Sequence, residues 1–368
     1  MDTSREEVLE VIGGKRIVVT GGTGSFGNQI ISELLPYEPE LITVVSRDEK
    51  KQYDMSLRFE GNDNVRFVLG DVRDFERMRE VLRSANLVYH AAALKQVPHC
   101  EFNPIEAVST NVLGAENVRR AAIEAGVDCV VAISTDKAVK PVNVMGMSKA
   151  IQERLMLLPS SANQDTRFVC VRYGNVLGSR GSVIPVFLQY IRAETPIPIT
   201  HPDMTRFQLT LREAVQLVVL ATVRGKTGEL WVRKMPAAKI ADMGKTLALG
   251  VTGNRNYPSQ IVGARPGEKM HEVLVSEEEM WRATSYDDHF CIPSWVDEMP
   301  EPGPRTGPFP EYASNGVHQL TEEELYLMLE SDGWFDSSRV GRIVLYPTRP
   351  SLGSVPGLEA NDLSTMGW

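Results

Sequence analysis

The sequence predicts an α/β fold: a doubly wound parallel sheet followed by a smaller C-terminal lobe. Three observations predict it. Short apolar runs alternate with helix-length stretches through the first half of the chain. Several of those runs are apolar throughout, the pattern of strands covered on both faces. A glycine-rich turn from Thr20 to Gly27 joins the first run to the first helical stretch. Strand–helix alternation with right-handed crossovers produces a parallel sheet.

Taken in order, strands are expected at 17–20, 41–45, 65–69, 87–90, 129–134 and 168–172, where valine, isoleucine and aromatic residues crowd together. Helices are expected between them at 28–35, 75–83 and 107–125. After Gly174 the rhythm changes. Pro185, Pro196, Pro198 and Pro202 break the chain into irregular pieces before one further helix at 211–224. This divides the chain into a dinucleotide-binding domain (14–175) and a mainly substrate-binding lobe (176–300) interleaved with it. The prolines at 300, 302, 304, 308 and 310 mark a linker, followed by a glutamate-rich helix at 321–329. Linker and latch-like segment together span 301–332, and a flexible tail, 333–368, completes the chain.

A chain of 368 residues can bury a sizeable core. Its net charge of −9 counts against nucleic acid and anionic membranes as partners. Cys100, Cys129, Cys170 and Cys291 show no paired spacing and two lie in apolar runs, so a reducing cytoplasm is the expected setting. The first ten residues are polar and acidic, unlike a signal peptide. No apolar run reaches the roughly 18 residues that span a bilayer. The six histidines lack ligand spacing, so no metal site is expected.

The turn Thr20-Gly21-Gly22-Thr23-Gly24-Ser25-Phe26-Gly27 has the spacing of a dinucleotide-binding loop in the confirming strand–helix context. Glycines permit a tight turn and close approach of a pyrophosphate, and the helix N-terminus offers N–H groups and a positive dipole to it. The fold is therefore read as Rossmann-type. At the end of the second strand, Ser46-Arg47-Asp48 places Arg47 where a 2′-phosphate would lie, which favours NADP, with NAD the alternative. Arg47 could instead be a solvated surface charge. Asp71-Val72 is placed to meet the adenine edge, although a turn-forming aspartate explains Asp71 nearly as well.

Ser134-Thr135-Asp136-Lys137 follows the fifth strand at the carboxyl end of the sheet, where α/β proteins bind ligands. Farther on, Met145-Gly146-Met147-Ser148-Lys149 opens a helix. Short-chain dehydrogenases carry Y-x-x-x-K here; this chain keeps Lys149 but has Met145 in the tyrosine position. A thioether cannot transfer a proton.

These segments, S-T-D-K-A-V-K-P-V-N-V-M-G-M-S-K (134–149), V-R-Y-G-N-V-L-G-S-R-G-S-V-I-P (171–185), M-T-R-F (204–207) and R-P-G-E-K-M-H-E (265–272), resemble the UDP-N-acetylglucosamine 4,6-dehydratases of bacterial polysaccharide biosynthesis. The likeness runs from about residue 14 to about 330 and is nearest to the soluble capsular members that invert C5. The resemblance implies a tightly bound, recycled nicotinamide cofactor, a UDP-N-acetylglucosamine substrate and a homo-oligomer. It implies Lys137 as the C5 base and Asp136 as the acid at the departing hydroxyl. Thr135 and Lys149 would take over the tyrosine's work at the C4 hydroxyl, beside Met145. Candidate cofactor contacts further include Ala91, Ala92, Ala93, Lys95, Asn111, Lys149 and Tyr173. For the substrate, Arg180 and Arg265 would neutralise the diphosphate and Glu268 accept from ribose. Asn175 and Gly181-Ser182-Val183 would hold phosphates or uracil, Lys95 would seat the sugar, and Arg206 would contact substrate or pack the lobe. The competing readings are a nucleotide-sugar 4-epimerase and a non-catalytic NAD(P)-binding regulatory protein.

Overall fold

The computed structural model describes residues 3–158, 165–179, 181–294 and 309–335. The first half runs α1 (Arg5–Ile12), β1 (Arg16–Thr20), α2 (Ser25–Leu34), β2 (Leu41–Ser46), α3 (Glu49–Ser56), β3 (Val65–Leu69), α4 (Phe75–Leu82) and β4 (Leu87–His90). It continues through α5 (Val97–Phe102), α6 (Pro104–Ala107), α7 (Gly114–Ala125), β5 (Cys129–Ile133), α8 (Val144–Met156) and β6 (Arg167–Arg172). The second half contains β7 (Asn175–Val176), α9 (Val183–Arg192), β8 (Ile197–Ile199), β9 (Thr205–Leu209), α10 (Leu211–Arg224), β10 (Leu230–Arg233), β11 (Ala237–Lys239) and α11 (Ile240–Thr252). After these come β12 (Ser259–Ile261), β13 (Val273–Val275), α12 (Glu277–Arg282), β14 (Thr284–Ser285), β15 (His289–Ile292), β16 (Tyr312–Ala313) and α13 (Glu322–Ser331).

The central sheet has the order β14-β15-β10-β6-β5-β4-β1-β2-β3. From β3 to β10 every neighbouring pair is parallel, and β15 and β14 add an antiparallel edge. The expected doubly wound sheet is present, with its strands in the order 3-2-1-4-5-6. Its inner strands are sealed: Val18 and Val19 on β1, Val88 on β4, Val130 on β5 and Val169 on β6 are all buried. The order reverses between β1 and β4, which leaves a crevice at their carboxyl ends, the general ligand position of such sheets.

The helices of the first half depart from the sequence reading in places. The polar N-terminal stretch forms α1, whose start is locked by a reciprocal capping box between Ser4 and Glu7. The expected single helix at 107–125 is broken by a wide π-turn over Val108–Leu113.

A second core joins Ile184, Phe187, Ile197, Met243 and Leu247 to Leu325 and Leu329 of α13. Trp334 and Phe335, which the sequence reading assigned to the tail, are buried in it. The proline linker up to 308 and the chain beyond 335 lie outside the described residues. No helix among the described residues is long and apolar enough to cross a membrane.

Candidate active site

The glycine turn lies in the crevice between β1 and β4. Gly21 has φ +66°, and a Cβ there would stand 2.7 Å from the backbone nitrogen of Ala92, where the chain leaves β4. A Cβ on Gly27 would stand 2.1 Å from the Gly22 carbonyl oxygen, because α2 packs directly onto the turn. A Cβ on Gly24, by contrast, would meet only the Gly21 oxygen, at 3.2 Å. The middle glycine thus faces the open side, and no side chain caps the helix that begins at Ser25 and Phe26. That cradle fits a pyrophosphate: open backbone N–H groups, a positive helix end, and no side chain to exclude the anion.

The flanking residues extend the cradle. Thr23 Oγ1 donates to Ser46 Oγ at 2.9 Å, tying the turn to the end of β2. Arg47 is half exposed, 3.7 Å from the Asp71 carboxylate. Burial alone would raise the Asp71 carboxyl, but bonds from Arg73 at 2.7 and 3.0 Å outweigh it and hold it below the ordinary range. Val72 is buried beside Gly114. Ala91, Ala92 and Ala93 carry the chain out of β4 toward Lys95. Asn111 is fully buried within the π-turn: its Oδ1 accepts from Leu94 N at 2.8 Å, and its Nδ2 donates to Leu94 O and Ser148 Oγ, both at 2.9 Å. Its side chain pins the segment after β4 to α8.

The Thr135–Lys137 segment sits at the adjoining edge of this crevice. Ser134 N donates to Val171 O at 2.7 Å, continuing the sheet beyond β5, and the next residues coil into a single 3-10 turn over Asp136–Ala138. Asp136 N donates to the carbonyl of the buried Tyr173 at 3.2 Å. The Asp136 carboxylate is fully buried, and its Oδ1 accepts from Thr135 Oγ1 at 2.9 Å and from Lys137 Nζ at 3.0 Å. Lys137 Nζ also reaches Asn175 Oδ1 at 3.5 Å and Glu272 Oε1 at 3.4 Å. Burial disfavours the Lys137 ammonium, but Asp136 and Glu272 together hold its pKa above the ordinary lysine value. Of these three charges only Lys137 remains accessible, at 23% against 0% for Asp136 and 3% for Glu272.

Helix α8 packs tightly on this turn, since a Cβ on Gly146 would stand 2.2 Å from Lys137 O. Its N-cap Asn143 accepts from Gly146 N and donates to Gly267 O, both at 2.8 Å, coupling the helix start to the 265–272 segment. Met145 is buried with Cys100 and Ala107, beside Leu94, Val97 and Val144. One turn later, Lys149 Nζ donates to Ile133 O at 2.5 Å and Gln152 Oε1 at 2.7 Å. Burial pulls its pKa down to about 8.

In the second half of the chain, Gly181 is in the left-handed region at φ +72°, backed by the Gln96 amide. Ser182 occupies the position before α9, which starts at Val183, but its side chain makes no capping bond and its Oγ is buried without a hydrogen-bond partner. Arg180 lies outside the described residues. Arg206 is turned inward: its guanidinium donates to Thr205 O at 2.8 Å and lies 3.8 Å from Glu272. Arg265 N donates to Glu268 Oε2 at 3.1 Å in an exposed turn. The sequence reading missed Glu272 and Lys269. Both belong to the quoted R-P-G-E-K-M-H-E segment, and its unexplained acidic end was the available signal. No group of side chains among the described residues could hold a metal ion.

Comparison with known proteins agrees with this architecture. Residues 17–294 match the family model described as polysaccharide biosynthesis protein. A relative from Rickettsia canadensis (strain McKiel), named UDP-glucose 4-epimerase, is 42% identical over 329 residues, covering 86% of this chain and 95% of the relative. Among solved structures, Pen from Bacillus thuringiensis is 35% identical with a TM-score of 0.80, covering 87% of this chain and 99% of that one. The dTDP-glucose 4,6-dehydratase DesIV from Streptomyces venezuelae shares the fold, at 20% identity and a TM-score of 0.63 over 69% of this chain and 86% of that one. The chain belongs to the polysaccharide biosynthesis protein family, built on the extended short-chain dehydrogenase/reductase fold.

Proposed function

We propose that the chain is a nucleotide-sugar 4,6-dehydratase that converts UDP-N-acetylglucosamine to a 4-keto-6-deoxy sugar. The observation that carries this reading is the Thr135–Asp136–Lys137 cluster, with Asp136 Oδ1 bonded to both neighbours, beside a methionine in the tyrosine position. A nicotinamide dinucleotide in the glycine cradle would accept hydride from sugar C4 and return it at C6. Arg47 near the cradle favours NADP.

The side chains then account for the protons. Thr135 Oγ1 carries the C4 hydroxyl proton to Asp136, which delivers it to the departing C6 hydroxyl, so that water leaves. Lys137, after releasing its ammonium proton to solvent, takes the C5 proton, made acidic by the neighbouring ketone, and later returns it to C5. Asp136 ends as the carboxylate and Lys137 as the amine, so the cycle closes with only water lost. Lys149, anchored by Ile133 and Gln152, supplies positive character near the C4 oxygen. Asn175, Ser182 and the Gly181 backbone would contact the nucleotide diphosphate, with Arg180 and Arg265 as its charge partners.

The names of the Rickettsia relatives favour a second reading, 4-epimerisation of UDP-glucose. That reaction needs no base at C5 and leaves Lys137 without a task. Incubation with each UDP-sugar in heavy water, read by mass spectrometry, separates the readings. A product lighter by one water and carrying solvent deuterium at C5 is the expected result. A C4 epimer of unchanged formula would replace the proposal with the epimerase. No conversion of either sugar, with cofactor bound, would leave a cofactor-binding protein without catalysis.

A further inference from the structure

The wall facing Lys137 from the second half of the chain carries charges that the proton cycle above does not use. Glu272 precedes β13 and is buried, with its Oε1 3.4 Å from Lys137 Nζ and 3.8 Å from Arg206 Nε. Its Oε2 makes no hydrogen bond and lies 3.6 Å from Lys269 Nζ. The backbone holds this carboxylate in place, since Glu272 N donates to Ser314 Oγ at 2.9 Å and Ser314 N donates to Glu272 O at 2.8 Å. Lys269 is itself anchored, its Nζ donating to Val139 O at 2.5 Å, just past the Asp136 turn. Among the described residues, the charged groups facing Lys137 are therefore Asp136 from its own turn, Arg206 from β9, and Glu272 and Lys269 from the segment before β13.

Asp136 has a task in the reaction; Glu272 has none in the proton cycle above. We propose that Glu272 is a positioning residue for Lys137: it anchors the ammonium from the second lobe and, balanced by Lys269, sets the pH at which that nitrogen becomes a free amine. The proposal deepens the dehydratase reading and rests on it for the task given to Lys137. Its physical basis is independent of substrate. An opposite charge within about 4–6 Å favours the charged form of a lysine by roughly 1–3 pH units, and a neighbouring cation acts the other way. Removing Glu272 should release the Lys137 proton earlier, and removing Lys269 should retain it longer. Burial pulls the Lys269 ammonium below its ordinary value, against the pull of Glu272 and Asp136.

The test measures Lys137 directly. The full chain is labelled briefly with acetic anhydride across a pH series, in competition with a reference amine, and acetylation at Lys137 is quantified by peptide mass spectrometry. Glu272→Gln should lower the reactivity midpoint by about 1–3 units. Glu272→Asp should restore most of the wild-type value, and Lys269→Met should raise it. A folded Glu272→Gln variant with an unchanged midpoint overturns the proposal, as does a Lys269→Met midpoint that stays or falls. If Glu272→Gln does not fold, Lys269→Met decides alone by the direction of its shift. Turnover of UDP-N-acetylglucosamine is followed on the same samples. Opposite midpoint shifts without dehydrated product even in the wild type uphold the positioning role and reject the dehydratase reading instead.

Discussion

Replacing Lys137 with methionine keeps the length and apolar stem of the side chain while deleting its charge. The ammonium bridges Asp136 at 3.0 Å and Glu272 at 3.4 Å, both carboxylates almost without solvent contact. Without it, Asp136 Oδ1 keeps only the Thr135 bond at 2.9 Å, and Oδ2 already has no partner. Removing one member of a buried ion pair costs about 3–5 kcal/mol, and the exposed end of Lys137 places this case near the lower figure. At roughly 2–4 °C per kcal/mol for domains of 150–250 residues, the melting temperature should fall by about 6–12 °C at neutral pH. Proton uptake by the orphaned carboxylate relieves the penalty, so the folded variant binds protons more tightly than the unfolded chain. Its deficit against wild type is therefore full at neutral pH and shrinks on acidification. Turnover should fall by about 10²–10⁴-fold, the usual contribution of a general base. Thermal unfolding at a series of pH values and product formation by mass spectrometry measure both effects on one preparation. A variant with wild-type stability at neutral pH and wild-type turnover would remove Lys137 from the cluster and from the chemistry.

Three further perturbations test separate parts of the structure. Met145→Tyr buries a phenol among Cys100, Ala107 and Leu94, so activity should stay level or drop, whereas Thr135→Val should sharply slow the single-turnover rise of reduced nicotinamide absorbance; a large gain from the first with no effect from the second refutes the relay. Gly21→Ala combines a left-handed φ of +66° with a Cβ 2.7 Å from Ala92 N, a conformation that alone costs about 1–2 kcal/mol for a residue with a Cβ, so cofactor retained through gel filtration should be lost; full retention would place the pyrophosphate elsewhere. Lys149 is held near pH 8 by burial, so the folded chain binds fewer protons than the unfolded chain between there and the ordinary lysine range, and wild-type stability should rise with pH across that window by up to about 1.4 kcal/mol per unit. Lys149→Met should flatten that slope in urea titrations, and an unchanged slope would assign the proton to another group.

The sheet was legible wherever short runs of apolar and β-branched residues stand together. The expected strand at 65–69 is β3 (Val65–Leu69) and that at 87–90 is β4 (Leu87–His90), while 168–172 begins one residue early, at Arg167. The first helix was placed at 28–35 because the glycines mask its start. It begins at Ser25, and Gly27 is already helical. The pieces after Gly174 were harder to read, because short strands such as β10 gain their stability from neighbours distant in sequence. In the site, Asp136 and Lys137 announced themselves by their place after a strand. Glu272 did not, because no local pattern records that a residue more than 130 positions away lies 3.4 Å from Lys137. Arg206 was equally opaque: only the fold shows its guanidinium bonded inward to Thr205 O.

The position of β10 in the central sheet has a consequence for synthesis. Strand β6 pairs on one side with β5 and on the other with β10, yet about sixty residues separate Arg172 from Leu230 along the chain. Translation at about 5–20 residues per second leaves the nascent β6 edge unpaired for roughly 3–12 seconds. Phe168, Val169, Cys170 and Val171, all buried in the finished protein, stand bare on the emerging chain during that interval, the kind of apolar edge that templates aggregation. A fragment ending near residue 175 would carry this edge permanently. Ribosome-bound chains stalled before residue 230 should therefore be strong chaperone clients, and chains stalled well beyond residue 292, with β10 and β15 both released from the ribosome, should not.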